Sequence, residues 1–148
     1  MSKASDLALA LTTKLETILI ANGFETDIGA RVFRGKASIN IEHLPCIVLV
    51  EDRDNVIEVK QTQAVVEQHY VIEGHAECDP DYPNDTAHLI LADLKRAVFS
   101  GDRTFGNAVK PSGLKYVTRA IGIREDGSKI CAASIEISML FVEDMLNP

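Results

Sequence analysis

His69, Glu73, His75, Glu77 and Cys78 form the densest set of metal-ligating and proton-transferring side chains in the 148-residue chain. They fall within an alternating run, Val65 to Glu77, in which every second residue shares a face. His69 and His75 therefore point the same way but stand roughly 20 Å apart along an extended strand, too far for one ion. Glu73 and His75 are closer, yet zinc gathers three or four converging ligands. Asp79, Asp81 and Asp85 resemble pieces of a calcium loop, but the Gly at its sixth position and the Glu at its twelfth are missing, and Pro80 and Pro83 intrude. A turn followed by a helix cap fits them better. GNAVKPSG, 106 to 113, lacks the spacing and the Gly-Lys-Ser/Thr end of a phosphate cradle. Ser100, Ser112 and Ser134 have no Gly-x-Ser-x-Gly context for a nucleophile. Nothing here reads as catalytic, and no metal or cofactor is expected.

Composition narrows the classes further. With 46% hydrophobic and 25% charged residues, the chain is expected to be one globular domain spanning 1–148. The net charge of −7, with basic residues scattered among acids, argues against a nucleic-acid grip, which needs clustered Lys and Arg. Three Tyr, five Phe and no Trp make a thin platform for stacking bases. No apolar run approaches the roughly 20 residues that span a bilayer, so no membrane partner is expected. Acidic and polar interruptions at Asp6, Thr12, Thr13 and Glu16 read as a folded cytoplasmic helix, not a signal peptide. Cys46, Cys78 and Cys131 are odd in number and far apart in sequence. Cys46 and Cys131 lie in apolar runs and are expected to be buried free thiols.

The elements follow from periodicity. Leu7, Leu11, Leu15 and Ile18 predict a helix over 4–21, stopped by Asn22-Gly23. Thr26 to Arg34 reads as a protruding hairpin and Ile39 to Glu42 as a short segment. Pro45 opens a buried strand, 46–50, followed by a polar turn at 51–55 and an outward continuation at 57–60. Along 65–77, Val66, Tyr70, Ile72, Gly74 and Ala76 take the core face. Ala87, Ile90, Leu91, Leu94, Ala97 and Val98 predict a second helix over 86–99, capped by Asn84 or Asp85 and ended by Gly101. A loop over 101–113 leads to strands 114–124 and 129–142, joined through Glu125-Asp126-Gly127-Ser128. The order predicts an α+β fold, a mostly antiparallel sheet with two helices packed on one face.

Four stretches, NGFETDIGARVFRG (22–35), LPCIVLVEDRD (44–54), NDTAHLILADLKRAVFSGD (84–102) and REDGSKICAASIEISMLFVED (124–144), stand in an order and spacing that resembles the tail terminator (tail-completion, minor tail) proteins of long-tailed bacteriophages. The resemblance runs from about Leu7 to Glu143. It implies a non-enzymatic virion protein that forms a homo-oligomeric ring, typically a hexamer, on the end of the tail tube. The ring stops polymerisation and presents the surface that joins the head. The implied partners are the tail tube protein and a head-completion or neck protein. The implied location is the host cytoplasm during assembly and then the virion tail. No catalytic or cofactor-binding residues carry over.

A ring needs two different, complementary patches on each protomer. Arg31, Val32, Phe33 and Arg34 on one side, and Glu51, Asp52, Arg53 and Asp54 on the other, are the candidates, with Val32 and Phe33 either as interface anchors or as a cap on the domain's own core. The segments 52–64 and 101–113 are candidate loops for meeting the tube or neck. The acidic balance suits a conduit through which DNA passes without being held. Two alternatives stand beside this reading. One is a head-tail neck or connector protein; the other is a small-ligand-binding α+β protein with a pocket between the sheet and loop 101–113.

Overall fold

The computed structural model describes residues 2–36, 38–124 and 126–148. Its elements run α1 (Lys3–Leu15), β1 (Val32–Arg34), β2 (Cys46–Lys60), β3 (Gln63–Glu77), α2 (Pro83–Phe99), β4 (Val109–Ile121) and β5 (Ile130–Asp144), with short 3-10 turns at Ile20–Asn22, Ile28–Ala30 and Ile41–His43. The five strands make one sheet in the order β1-β2-β3-β5-β4, antiparallel except for the parallel β1–β2 pair. Both helices contribute to the same apolar layer: Leu7, Leu11 and Leu15 of α1 join Ile90, Leu91, Leu94 and Val98 of α2 over Leu49, Ile72, Ile135 and Met139. The fold is α+β, as the order of elements predicts.

α1 is shorter than its periodicity suggests. The Ser2 hydroxyl caps its start by accepting from Ser5 N at 3.3 Å. The helix ends at Leu15, where Thr17 N and Ile18 N reach back only to Lys14 O and Leu15 O in tightened turns. Ile18 is still buried, but the chain has turned, because the backbone of Gly29 lies against this end and donates to Ile18 O at 2.9 Å. Gly23, at φ 88, closes the following 3-10 turn instead of the helix itself.

The expected hairpin over 26–34 is not one. A 3-10 turn leads into β1, which pairs in parallel with β2 through Val32–Ile47, Phe33–Val48 and Arg34–Leu49. Its partner is thus a distant strand, which local periodicity does not reveal. The expected turn at 51–55 is also absent. β2 runs unbroken to Lys60, with an extra residue between Glu51 and Asp54 and another between Val56 and Glu58. The reversal comes at Gln61 and Thr62, with Gln61 at φ 55. Beyond Val50 both faces of β2 are exposed, so nothing imposed an alternating pattern on those residues.

α2 carries the predicted stripe, and Ala87, Ile90, Leu91, Leu94, Ala97 and Val98 are all buried. Neither Asn84 nor Asp85 caps it. Tyr82 occupies the cap position without a side-chain bond, and Pro83 supplies a preset first turn. Past the helix end, at Ser100, Gly101 adopts φ 70. The sequence pattern hid one member of the buried face, Asp93, which is 1% exposed. Its carboxylate accepts from Glu25 N (3.1 Å), Thr26 N (2.8 Å) and Thr26 Oγ1 (2.7 Å), anchoring the chain just before β1 to the helix. Asp93→Asn keeps the shape but sets an amide N–H against these donors. A loss of about 2 kcal/mol is expected in urea unfolding. A change below about 0.5 kcal/mol would show that the anchor contributes little.

β4 starts five residues earlier than predicted. Lys110 to Gly113 reads as loop because it forms a bulge, with Ser112 at φ 58, inside the strand. In the β4–β5 turn Gly127 takes φ 77; Glu125, placed by the sequence in this turn, lies outside the described residues. Cys46 and Cys131 are buried free thiols, as expected. Strand pairing makes Cys78 and Cys131 neighbours despite their sequence separation. Burial, and then the nearness of Cys78, pushes the Cys131 thiol up to about 12.

Candidate assembly surface

The Arg31–Arg34 segment and the Glu51–Asp54 segment lie side by side in one protomer, because β1 and β2 are adjacent strands. Arg34 Nη2 is 3.3 Å from Glu51 Oε1, with both side chains about half exposed. Such a pair is worth about 0–1 kcal/mol. Arg31 Nη1 donates to Glu42 O (3.3 Å) and Leu44 O (3.2 Å), tying β1 to the 3-10 turn before β2. Val32 is half-buried against the domain's own core. Phe33 packs edge-on to His43, centroids 5.5 Å apart, with Lys36 Nζ 5.1 Å from its ring centre. Arg34 and Glu51 thus bring the two segments together within one protomer, where their opposite charges are partly satisfied.

Arg53 turns to the sheet face away from the helices. It meets Asp52 at 3.0 Å and Glu136 at 3.4 Å. Buried His69 bridges Glu67 (2.9 Å) and Glu136 (3.3 Å) on the same face. His75 pairs, among the described residues, only with Glu73, at 3.4 Å. Among the described residues, no three His, Cys, Asp or Glu side chains gather as a metal ion requires. Asp79 Oδ1 accepts from Asp81 N at 2.9 Å, the bond of a simple turn.

The groove between α1 and the loop before β4 has about 430 Å³ of space and is lined by Asp6, Leu9, Ala10, Thr13, Lys14, Asp102 and Phe105. Its ionisable groups at the loop are committed to backbone. Lys14 Nζ donates to Val98 O (3.2 Å), Ser100 O (3.1 Å) and Asp102 O (2.8 Å), and burial lowers its pKa. Asp102 accepts from Thr104 Oγ1, Gly106 N and Thr104 N, which hold its carboxyl down to about 2. Lys14 and Asp102, two of the charged residues lining the groove, are thus engaged in holding the loop to the end of α2.

What local pattern missed is the β2–β3 arm. Residues 51–60 are exposed throughout, including Val56 (61%), Ile57 (57%) and Val59 (56%). The segment 52–64, expected to be a flexible loop, is instead mostly paired strand. Apolar side chains on a rigid, solvated hairpin are the feature a docking partner would cover. The signal was the pair Val56-Ile57 and Val59 set among charges, which turn chemistry does not need. Among the described residues, no helix is long and apolar enough to cross a membrane. No protein-family profile matches the chain, and no curated protein matches its sequence.

Proposed function

We propose that this chain is a non-enzymatic assembly protein of a long-tailed bacteriophage, a tail terminator that forms a ring, of six copies by resemblance, on the end of the tail tube. The observation that carries this reading is the β2–β3 arm, which holds Val56, Ile57 and Val59 in water on paired strands. An exposed apolar surface on a rigid element serves a macromolecular partner better than a small ligand. The α+β domain gives the arm a stiff base, since β3 continues from the arm into the sheet centre between β2 and β5. The resemblance of four stretches, in order and spaced along most of the chain, supplies the particular assembly. The ring would act in the host cytoplasm and remain in the virion tail, between the tube protein and a head-completion or neck protein. With a net charge of −7, a wall built from this chain would let DNA pass without gripping it.

The test is tube length. Tail-tube protein from the same genome is polymerised with and without this chain and imaged by negative stain. The expected result is a narrow, shortened length distribution with a ring at one end. Tubes of unchanged length with bare ends would overturn the reading. A ring that binds the head-completion protein but not the tube would favour the neck-protein alternative.

A further inference from the structure

The sheet ends in two unpaired edges of opposite charge. β1 covers β2 only as far as Leu49, so from Val50 to Lys60 the outer edge of β2 has no strand neighbour among the described residues. That stretch carries Glu51, Asp52, Asp54 and Glu58 against Arg53 and Lys60. The other terminal strand, β4, carries Lys110, Lys115 and Arg119 and no acid. Among the described residues, Asp54 and Glu58 on one edge and Lys110, Lys115 and Arg119 on the other have no salt-bridge partner.

We propose that the outer edge of the β2 arm of one copy adds in antiparallel register to the β4 edge of a second copy, extending the sheet from protomer to protomer. This rests on the ring-forming reading and names the two surfaces it needs. Strand direction permits it. β2 opposes β3, β3 opposes β5 and β5 opposes β4, so β4 runs antiparallel to β2. A second copy displaced along the sheet without turning over then sets its β2 antiparallel to the first copy's β4, the better-bonded sense. The rows of the sheet give the register. Asp54 lies opposite Gln68, Gln68 opposite Met139, and Met139 opposite Leu114. Kept in those rows, Arg119 to Ile121 would fall where the second copy's own β1 pairs with Ile47 to Leu49. The second copy therefore also slides four residues along the strand, which brings its Asp54 beside Arg119 and its Glu58 beside Lys115.

Apolar surface agrees with charge. Val56 and Val59 oppose the buried Val66 and Ala64, while Tyr116 and Ile121 oppose the buried Ile137 and Ala133. Opposed residues share a face, so both exposed strips lie on the helix side, and the slide sets Tyr116 of one copy beside Val56 of the next. Like edges would not join as well: two β4 strands would set cations against cations, and two arms would set acids against acids. The charges that keep each edge from pairing with itself leave the unlike edge as the matching partner. Such a contact is head-to-tail, the kind that closes into rings.

The test is disulfide trapping in a Cys78→Ser background, with Cys46 and Cys131 buried. Asp54→Cys and Arg119→Cys, which share the helix-side face, are made as separate proteins, oxidised with copper phenanthroline alone and mixed, and followed by native mass spectrometry. The expected result is a covalent dimer in the mixture and none in either protein alone. Dimers in Asp54→Cys alone would mean an arm-to-arm contact and overturn the proposal. So would oligomers without the mixed disulfide, an outcome that leaves the ring reading standing. A chain that stays monomeric and unlinked at every concentration also overturns it, while the tube-length assay judges the terminator reading separately.

Discussion

Gly29→Ala is expected to destabilise the domain by about 4 kcal/mol, a large share of the 5–15 kcal/mol that holds a typical domain together. A Cβ at this position would stand 2.5 Å from Leu15 O, 2.7 Å from Ile18 O and 2.8 Å from Ile18 N. All three atoms are backbone, so no rotamer change relieves the clash. The segment could escape only by lifting away from the end of α1. That would break the Gly29 N to Ile18 O bond, uncover Ile28 (0% exposed) and pull on Thr26, which Asp93 holds. The nearby β1 strand would lose its alignment with Ile47 to Leu49. Gly74 offers a contrast. Its Cβ would meet Ile90 Cγ2 at 2.4 Å, but that obstacle is a side chain and can shift. Gly74→Ala should therefore cost less, about 2 kcal/mol. Urea unfolding with unchanged slopes would rank the two variants. A Gly29→Ala protein within 1 kcal/mol of the parent would mean that the 26–31 segment docks loosely, and that the path proposed here from α1 to β1 is wrong.

The contrast between these glycines and the legible parts of the chain has a physical basis. α2 and β3 could be read because each buries one face along its whole length, which imposes a period on its residues. The outer half of β2 buries neither face, so Glu51 to Asn55 was free to look like a turn while remaining a strand paired with β3. β4 was obscured at its start for a related reason, since Lys110-Pro111-Ser112-Gly113 has loop chemistry because it is a bulge. The site suffered most from non-local pairing. Arg34 and Glu51, chosen as halves of two surfaces, are neighbours across the parallel β1–β2 contact, and no local pattern announces a parallel partner. Asp93 likewise reads as an ordinary polar residue on a helix, since its partners at Glu25 and Thr26 come from elsewhere in the chain.

Reversing the cations of β4 should disable assembly without harming the fold. Lys115 and Arg119 are exposed and have no salt-bridge partner among the described residues, so Lys115→Glu with Arg119→Glu removes no native pair. At the proposed contact they face the acidic edge of the arm. Each exposed pair contributes roughly 0.5 kcal/mol, and reversal turns it into a repulsion of similar size, so two pairs shift one interface by about 2 kcal/mol. A ring multiplies that change, because closure makes as many interfaces as there are copies. For six interfaces formed over five association steps, the concentration needed for assembly should rise roughly 50-fold. High salt should weaken the parent ring and narrow its gap from the variant, since exposed charges are screened. The second half of the test is a swap: adding Asp54→Lys and Glu58→Lys to the reversed β4 restores the opposition of charge with the signs exchanged. Recovery of assembly in the quadruple variant, with circular dichroism unchanged throughout, would tie the contact to these two edges. Equal assembly of parent and reversed proteins would mean that these two edges do not form the interface.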